Sequence, residues 1–447
     1  MSPSRIVIFA RYPEPGRAKT RTIPALGPAG AARLQGAGLD RILREAAGVS
    51  RPSDRAADRC DVEVRCTGAT AEVMRQQFGS RPHYVDHYYV DQGAGDLGQR
   101  LERAVADAFA AGVDRLLVVG TDAPDLDTQR LREALAELEN APVVLGPALD
   151  GGYYLIGLRG NYPELFRGID WSTERVLAQT TEAAAKLSLA CRQMPPLSDV
   201  DQPEDLLACR RYPKDYEQVF GAIRPGVISV VIPALNEAAG IEAALSPIVG
   251  REDLQAIVVD GGSDDGTAEI ARAAGAEVIA CGRGRARQMN AGAAIARGET
   301  LLFLHADSRL PDEFATEVRA ALRAGAIGGA FRLRIDDPRR VYRWIEFGTR
   351  LRTRWWGRPY GDQGLFIDAA TFYRLSGFRV WPLMEDYEWV GRARREGRFV
   401  TLSSEVTTSA RRWQRLGPLR TTLTNQAIVA AYHCGLPIDR LAQWYRS

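Results

Sequence analysis

The sequence predicts an α/β protein with two tandem, doubly wound domains. Short apolar runs that end at Gly or Asp alternate with longer helical patterns, which is typical of a parallel sheet with crossover helices. A strand pattern that could open a second sheet appears in the middle of the chain. The length of 447 residues also exceeds what one ordinary core accommodates and suits two domains of roughly 200 residues each.

In the first half, four apolar runs are expected to be strands. They are residues 5–10, 61–66, 115–120 and 143–146. The clearest helical pattern between them is residues 97–111, whose apolar side chains recur at spacings of three and four.

The second half repeats the alternation. Its opening strand, VISVVIP at residues 227–233, follows a stretch that contains Pro213, Pro225 and Gly226. We therefore place the domain boundary near residue 222, giving domains 1–222 and 223–447. Further strands are expected at residues 254–260, 277–280 and 300–305, with helices that begin at Thr267, Arg287 and Pro311.

Composition and charge restrict the classes of function. Apolar residues make up 45% and charged residues 26% of the chain, so both halves are expected to fold. The net charge of +2 is too small to attract nucleic acid, which is not an expected partner. The six cysteines form no CxxC pair and the histidines form no HExxH motif, which favours reduced cytoplasmic thiols and no zinc site. His83 and His87 are spaced as a helical ligand pair, but HYVDHYYV alternates like a strand.

Targeting and membrane signals are weak. The amino terminus reaches an apolar strand at once and lacks the pattern of a signal peptide, so we expect a cytoplasmic protein. The most apolar candidate, QAIVAAYHCGL at residues 426–436, is shorter than the ~20 residues that a membrane span needs. We expect it to pack against its domain, with peripheral membrane contact as the alternative.

In the second half, two predicted strands end at carboxylates. Asp260 ends the first and is followed by a glycine turn, and Asp307 comes directly after the second. Ligands of open α/β sheets bind at this edge, and hard oxygen ligands suit Mg²⁺ or Mn²⁺ beside a diphosphate. The alternative for both residues is a structural turn or cap, to which Asp264 and Asp265 are also suited.

Other polar groups follow. GDQG at residues 361–364 adds Asp362, and Glu385 with Asp386 precedes an amphipathic helix. Glu385 and Asp386 either complement the dipole of this helix or supply a general base.

A basic segment, GRGRARQMNAGA, carries Arg283, Arg285 and Arg287, of which we assign Arg283 and Arg287 to a diphosphate. A solvated basic turn is the alternative, and Arg411 and Arg412 are weaker candidates for the same contact.

The first half contains a second set of candidates. Gly16, Arg17, Lys19 and Arg21 follow the opening strand, as in a loop that grips phosphates. Later segments carry acids that could hold a metal with a nucleotide, namely Asp122 after a strand and Asp199 and Asp201 before a helix.

The motifs IPALNE, VVDGGSDDGT, LHADS, GDQG and MEDYEW, in this order, resemble family 2 glycosyltransferases over residues 228–412. Within that family the sequence most resembles the group called rSAM/selenodomain-associated transferase 2, or arsenosugar biosynthesis glycosyltransferase. The resemblance implies a glycosyltransferase-A-type fold and an inverting, metal-dependent transfer from a nucleoside diphosphate sugar to a small-molecule acceptor.

The resemblance also implies roles for single residues. The nucleotide crevice would be lined by Pro233, Ala234, Asn236 and Glu237. Asp260 would meet the base or ribose, Asp307 would hold the metal and Asp386 would be the base. The family often has Asp-x-Asp where this chain has His305, Ala306 and Asp307, so the expected metal site has one carboxylate, and His305 either bonds the ribose or packs.

The motifs QGAGDLGQRL, LGPALDGGYYLIGL and IDWSTERVL resemble the companion group, rSAM/selenodomain-associated transferase 1, over residues 4–208. That group resembles molybdenum-cofactor and lactyl-phosphate nucleotidyltransferases, which implies a second glycosyltransferase-A-type domain. The leading hypothesis is thus a bifunctional or tandem sugar transferase. The alternatives are nucleotidyl transfer by the first half, or one half that only binds ligands.

Overall fold

The structure, a computed structural model, describes residues 3–49, 60–79 and 88–446. His83 and His87 lie outside these ranges. The chain divides into two compact units. The N-terminal unit comprises Met1–Ala208 and Tyr212–Val219, and the C-terminal unit comprises Cys209–Arg211 and Phe220–Ser447.

The N-terminal unit contains a seven-stranded sheet with the order β3-β2-β1-β4-β6-β5-β7. Its strands are β1 (Ser4–Arg11), β2 (Cys60–Thr67), β3 (Tyr88–Asp91), β4 (Arg115–Val119), β5 (Val143–Pro147), β6 (Tyr153–Leu158) and β7 (Cys191–Gln193). Its helices are α1 (Ile23–Ala47), α2 (Ala71–Phe78), α3 (Leu97–Ala110), α4 (Thr128–Glu137) and α5 (Val176–Lys186), and α6 (Glu217–Phe220) follows at the junction.

Both faces of this sheet are covered. Ile6 and Ile8 pack into one buried cluster, whereas Val7 between them packs into another on the opposite face. This alternation follows from the two-residue period of a strand, and a sheet that is buried on both faces explains the continuous apolar run of β1.

The C-terminal unit contains an eight-stranded sheet with the order β10-β9-β8-β11-β14-β13-β15-β12. Its strands are β8 (Arg224–Ala234), β9 (Leu254–Asp260), β10 (Glu277–Ala280), β11 (Gly298–Phe303), β12 (Ser308–Arg309), β13 (Gly328–Asp336), β14 (Leu365–Asp368) and β15 (Phe399–Ser409). Its helices are α7 (Ile241–Leu245), α8 (Thr267–Ala273), α9 (Arg285–Ile295), α10 (Phe314–Arg323), α11 (Arg340–Trp356), α12 (Ala369–Arg374), α13 (Glu385–Glu396), α14 (Arg411–Leu416), α15 (Pro418–His433) and α16 (Ile438–Arg446).

The predicted α/β class is confirmed in both units, but the sheets are mixed rather than wholly parallel. In the N-terminal unit, β6 runs antiparallel to β4 and β5. Only residues 148–152 join β5 to β6, which is too short for a crossover helix and therefore forces an antiparallel return. In the C-terminal unit, β14 is antiparallel to β11 and β13.

Packing in the C-terminal unit brings α9 unusually close to its sheet. A Cβ at Gly292 would lie 2.4 Å from Cγ1 of Val231 and 2.9 Å from Cγ2 of Val259, so only glycine fits there. This close approach holds the first turn of α9 near the carboxyl ends of β8 and β9, where ligands of such sheets bind.

The segment QAIVAAYHCGL lies mostly in α15 and packs within its own unit. Ile428 is buried and shares an apolar cluster with Met384, Tyr387 and Leu441. Among the described residues, no helix is long and apolar enough to cross a membrane.

Candidate active site

The wall of the crevice is built from the turn that follows β9. The Asp260 carboxylate is buried and accepts hydrogen bonds from the backbone N–H of Gly262 at 3.1 Å and of Ser263 at 3.1 Å. Asp265 accepts in the same way from the N–H of Thr267 and of Ala238, each at 3.0 Å. Both acids therefore shape the turn, and the structural alternative foreseen for them is present.

The loop that follows β8 is tied to this turn. The N–H of Asn236 donates to Oγ of Ser263 at 2.9 Å, and Oδ1 of Asn236 accepts from the N–H of Asp264 at 3.0 Å. Asn236 has a φ of 55°, a left-handed conformation that asparagine tolerates better than most residues. The N–H of Glu237 donates to Oγ1 of Thr267 at 2.9 Å. Pro233, at the end of β8, leads into this loop, so IPALNE and VVDGGSDDGT form one continuous wall.

A buried glutamine joins the two strand ends to the neighbouring helix. Nε2 of Gln288 in α9 donates to the carbonyl oxygens of Ala234 and Val259, both at 2.8 Å. The side chain is 5% exposed. Its two N–H groups satisfy strand carbonyls at the crevice, so Gln288 has a positioning role there.

Four acidic side chains from three separate segments line one cleft beside this wall. They are Asp307, Asp362, Glu385 and Asp386, and Arg285 of α9 faces them. Desolvation in the cleft lowers the pKa of Arg285, whose side chain is nevertheless 49% exposed, but the surrounding carboxylates, Glu385 first, outweigh that effect and raise it. The cleft therefore combines a cluster of negative charge with one cationic group.

Glu385 and Asp386 differ in environment although they are adjacent. Glu385 is buried, and this burial raises the pKa of its carboxyl, while Nη1 of Arg285 at 3.4 Å from Oε1 opposes the rise. Asp386 instead accepts from the N–H of Gly361 at 2.6 Å through Oδ2 and from the N–H of Tyr387 at 2.7 Å through Oδ1. These bonds hold the Asp386 carboxylate in a defined orientation.

Gly361, in the 3-10 turn Gly361–Gln363, brings two candidate residues together. A Cβ at this position would lie 3.0 Å from Oδ2 of Asp386 and 3.2 Å from Nε2 of His305. The missing side chain therefore lets the turn approach both groups. The GDQG motif acts here through its backbone.

Asp307 lies between β11 and β12, beyond the end of the strand, and is paired with a residue from far along the chain. Nη2 of Arg411, at the start of α14, forms a short ion pair with Glu237 and lies 3.7 Å from Oδ2 of Asp307. The hydrogen bond to Glu237 is the main cause of the raised pKa of Arg411. Arg411 thus connects the nucleotide-side loop to the predicted metal ligand.

The structure separates the predicted diphosphate-binding arginines. All three side chains are exposed, but Arg285 lines the cleft, whereas Arg283 and Arg287 are not part of its lining. The sequence pattern marks all three arginines, and the prediction that Arg283 and Arg287 are the ones at the cleft is wrong. Trp413, Asn425 and other lining residues from α14 to α16 were missed, because no motif marks them and only the packing of those helices brings them to the cleft.

In the N-terminal unit, the predicted basic loop and acids pair with each other. Nζ of Lys19 lies 2.9 Å from Oδ1 of Asp122, and Arg21 forms a short ion pair with Asp201. The Lys19 side chain is only 8% exposed, whereas Arg17 is 71% exposed and pairs with Glu14.

The loop itself turns at Gly16, with a φ of 81°. Near the Lys19 pair, burial and then the charge of Asp150 raise the pKa of Asp199 to about 6. Across the residues that the structure describes, no group of three or more His, Cys, Asp or Glu side chains is arranged to hold a metal ion.

Two family models match the chain. Residues 229–380 match glycosyl transferase family 2, and residues 53–173 match a family described as an uncharacterized protein conserved in bacteria, DUF2064. A comparison with curated proteins found no match.

Several solved structures are similar. A Desulfovibrio desulfuricans protein assigned as a nucleotide-diphospho-sugar transferase is 32% identical, with 48% of this chain and 89% of that chain covered and a TM-score of 0.42. S. aureus TarS in complex with UDP is 18% identical, the match covers 41% of this chain and 60% of that chain, and the TM-score is 0.35. The glucosyl-3-phosphoglycerate synthase of Mycobacterium tuberculosis, in complex with Mn²⁺, UDP and glucosyl-3-phosphoglycerate, is 22% identical. The match covers 47% of this chain and 81% of that chain, with a TM-score of 0.32.

The match over residues 229–380 places this chain among the proteins that contain a glycosyl transferase family 2 domain. More particularly, the chain is a fusion of an N-terminal DUF2064 domain and a C-terminal family 2 glycosyltransferase domain, and it is an enzyme of the family 2 type.

Proposed function

We propose that the C-terminal unit transfers a sugar from a nucleoside diphosphate sugar to a small-molecule hydroxyl or acid acceptor, with inversion and with the help of a divalent metal. The observation that carries this proposal is the convergence of Asp307, Asp362, Glu385 and Asp386 with Arg285 in one cleft beside the β8–β9 wall. Clefts that hold a titratable group with a shifted pKa beside a charge partner, as Glu385 beside Arg285, are typical of active sites.

In this proposal Asp386 is the general base. The acceptor oxygen attacks the anomeric carbon, the bond from that carbon to the diphosphate breaks, the acceptor proton passes to Asp386 and the nucleoside diphosphate leaves. The backbone bonds from Gly361 and Tyr387 support this role because they fix the carboxylate. Pro233, Ala234, Asn236, Glu237 and Asp260 form the nucleotide wall, and His305 bonds the ribose.

Asp307 is the protein's metal ligand in this proposal. Its side chain is 28% exposed, lines the cleft and supplies the hard oxygen that Mg²⁺ or Mn²⁺ prefers. One carboxylate suffices where a donor diphosphate and water supply the remaining ligands, as is usual for Mg²⁺. When bound, the ion would offset the charge of the departing diphosphate. Arg285 would contact this diphosphate within the cleft.

Differential scanning fluorimetry against UDP, GDP, CDP and dTDP sugars, with and without Mn²⁺, tests the donor and the metal together. We expect one donor to raise the melting temperature selectively, and excess EDTA to abolish transfer. Asp307→Asn should stay folded but lose the metal-dependent shift and the transfer. Asp312→Asn is the matched control, because Asp312 is a highly exposed acid nearby. Full activity in excess EDTA would contradict the metal assignment.

Nucleotidyl transfer by the N-terminal unit is a second candidate. It is favoured by Asp122 and Asp201 beside the basic loop that carries Lys19 and Arg21, with Asp199 close by. In this candidate a sugar phosphate attacks a nucleoside triphosphate and pyrophosphate leaves. Pyrophosphate release by a fragment 1–222, supplied with a nucleoside triphosphate and a sugar phosphate, would support it, and no release across a panel of both would oppose it.

A further inference from the structure

Helix α11 of the C-terminal unit exposes a set of large aromatic side chains. Its buried side, Tyr342, Glu346, Thr349 and Thr353, recurs at helical spacing and faces the unit. On other sides of the helix, Trp344 is 74% exposed, Phe347 56%, Trp355 69% and Trp356 65%. Trp344, Trp355 and Trp356 line one groove, and we call these three residues the aromatic face; Phe347 packs edge-on against Trp344, with ring centroids 6.5 Å apart. Single exposed apolar residues are common on protein surfaces, whereas a contiguous exposed apolar patch is typical of a surface that binds a protein, a membrane or a ligand.

The charge on α11 is strongly positive. The helix contains Arg340, Arg343, Arg350, Arg352 and Arg354 and one acid, Glu346. Glu346 is 2% exposed and accepts from the N–H of Ile335 at 2.8 Å. Arg343 pairs with Glu346, and Arg350 pairs with Glu405 of β15, each at 3.0 Å. The solvent-exposed part of α11 therefore presents aromatic rings and no carboxylate of its own, and Arg340, Arg352 and Arg354 supply the positive charge that these two pairs leave.

A groove with a mainly apolar lining runs between α11 and α15. Trp344, Gly348, Leu351 and Trp355 line its α11 side at spacings of four, three and four residues. The groove shares further residues with the candidate active-site cleft, namely Tyr360, Asp362, Trp413 and Asn425. The apolar groove and the cleft are therefore next to each other, so a hydrocarbon chain that lay in the groove would end beside the cleft.

We propose that the aromatic face and this groove dock on an anionic lipid bilayer. Helices that lie in the membrane interface combine tryptophan and phenylalanine with arginine, and anionic head groups complement the charge of α11. Tryptophan also concentrates at the depth of the head groups, and arginine stems reach the phosphates from there. The docking needs no helix that spans the membrane. It rests on the proposed function in one respect, namely that the cleft beside the groove is the active site.

Co-sedimentation of the full chain with vesicles tests the docking. We expect binding to vesicles of phosphatidylglycerol and phosphatidylcholine, weaker binding to phosphatidylcholine alone, and a decline with added salt. Trp344→Ser with Trp355→Ser should weaken the binding by about 10-fold or more. Leu149→Ser is the control, because Leu149 is equally exposed, at 69%, but belongs to the other unit. Equal binding of the double variant and the wild type would overturn the proposal.

Brominated acyl chains test where the tryptophans lie even if the serine variant misfolds. Vesicles that contain them should quench the fluorescence of the wild type. The triple variant Trp344→Phe, Trp355→Phe and Trp356→Phe should remove most of that quenching while binding persists. No quenching would overturn the proposal, and so would self-association without vesicles, since a second copy would then cover the face. The donor-induced thermal shift is measured in parallel, because it reports on the proposed function and involves no lipid.

Discussion

At the scale of single residues, Asp386 decides the proposed mechanism. We expect Asp386→Asn to bind the donor normally and to lose ~10² to 10⁴ in turnover, because the amide cannot accept the proton. The amide oxygen can still accept from the N–H of Gly361, so the turn should keep its shape. Steady-state kinetics together with donor titration measure the two effects separately.

Glu385→Gln is the comparison for that variant. Glu385 is buried against Arg285, and its pKa is raised, so its contribution is expected to be mainly to local charge balance. Its loss of turnover should therefore be smaller than that of Asp386→Asn. If Asp386→Asn keeps more than about half of the turnover, or loses donor affinity in step with turnover, Asp386 is a cap or a binding group.

Asp199 in the N-terminal unit should make stability depend on pH. Its pKa is raised to about 6 in the folded state by burial and by Asp150, above the value of about 4 in an unfolded chain. The folded state then binds the proton more tightly, so the favourable contribution is complete below pH ~4 and is lost as the pH rises through about 6.

Asp199→Asn should remove this dependence. We expect it to raise the denaturant midpoint at pH 7 and to change it little at pH 4, with a gain of roughly 2 kcal/mol at most. Unfolding by urea at the two pH values, followed with the isolated fragment 1–222, provides the measurement. An equal change at both pH values would indicate that packing, and not ionisation, accounts for the effect.

At the scale of secondary-structure elements, Gln288 connects α9 to the ends of β8 and β9. Gln288→Leu keeps the approximate volume but removes both donors to the carbonyls of Ala234 and Val259. We expect a loss of about 1 to 3 kcal/mol in the free energy of unfolding. Gln414→Leu is the matched control, since Gln414 is exposed, and it should cost less than about 0.5 kcal/mol. A similar loss in the two variants would show that the buried bonds are unimportant.

Elements with strong local patterns were predicted well. Leu254–Asp260 and Glu277–Ala280 are strands with the expected bounds, and α3 ends one residue before its predicted end. The helix expected from Arg287 begins at Arg285, after Gly284 with a φ of 135°. The strand expected at residues 300–305 ends at Phe303. Such ends depend on turns and pairing partners, which periodicity does not describe.

At the scale of the whole molecule, the chain crosses between its units more than once. Cys209–Arg211 belongs to the C-terminal unit although Tyr212–Val219 belongs to the N-terminal unit. Within the C-terminal unit, Arg210 donates to the carbonyl of Ala296 at 2.7 Å and to the hydroxyl of Tyr373 at 3.2 Å.

This arrangement sharpens the prediction that residues 1–222 and 223–447 fold as separate fragments. We expect both to fold, but fragment 209–447 should be more stable than 223–447 because it retains the buried Arg210. Thermal unfolding of the two fragments tests this, and Arg210→Ala in 209–447 should remove the difference. Equal melting temperatures for the two fragments would contradict the role of Arg210, and aggregation of both 1–222 and 223–447 would contradict the boundary.

The sequence by itself determined the α/β class and the resemblance of each half to a transferase family, because strand and helix periods and short motifs are local properties. Only the tertiary structure decided that the sheets are mixed, that Arg285 lines the cleft, and that Arg411 pairs with Glu237 and Asp307. The aromatic face of α11 also emerged only there. Glu237 and Arg411 are 174 positions apart, and their contact depends on how strands and helices pack, which no local pattern encodes.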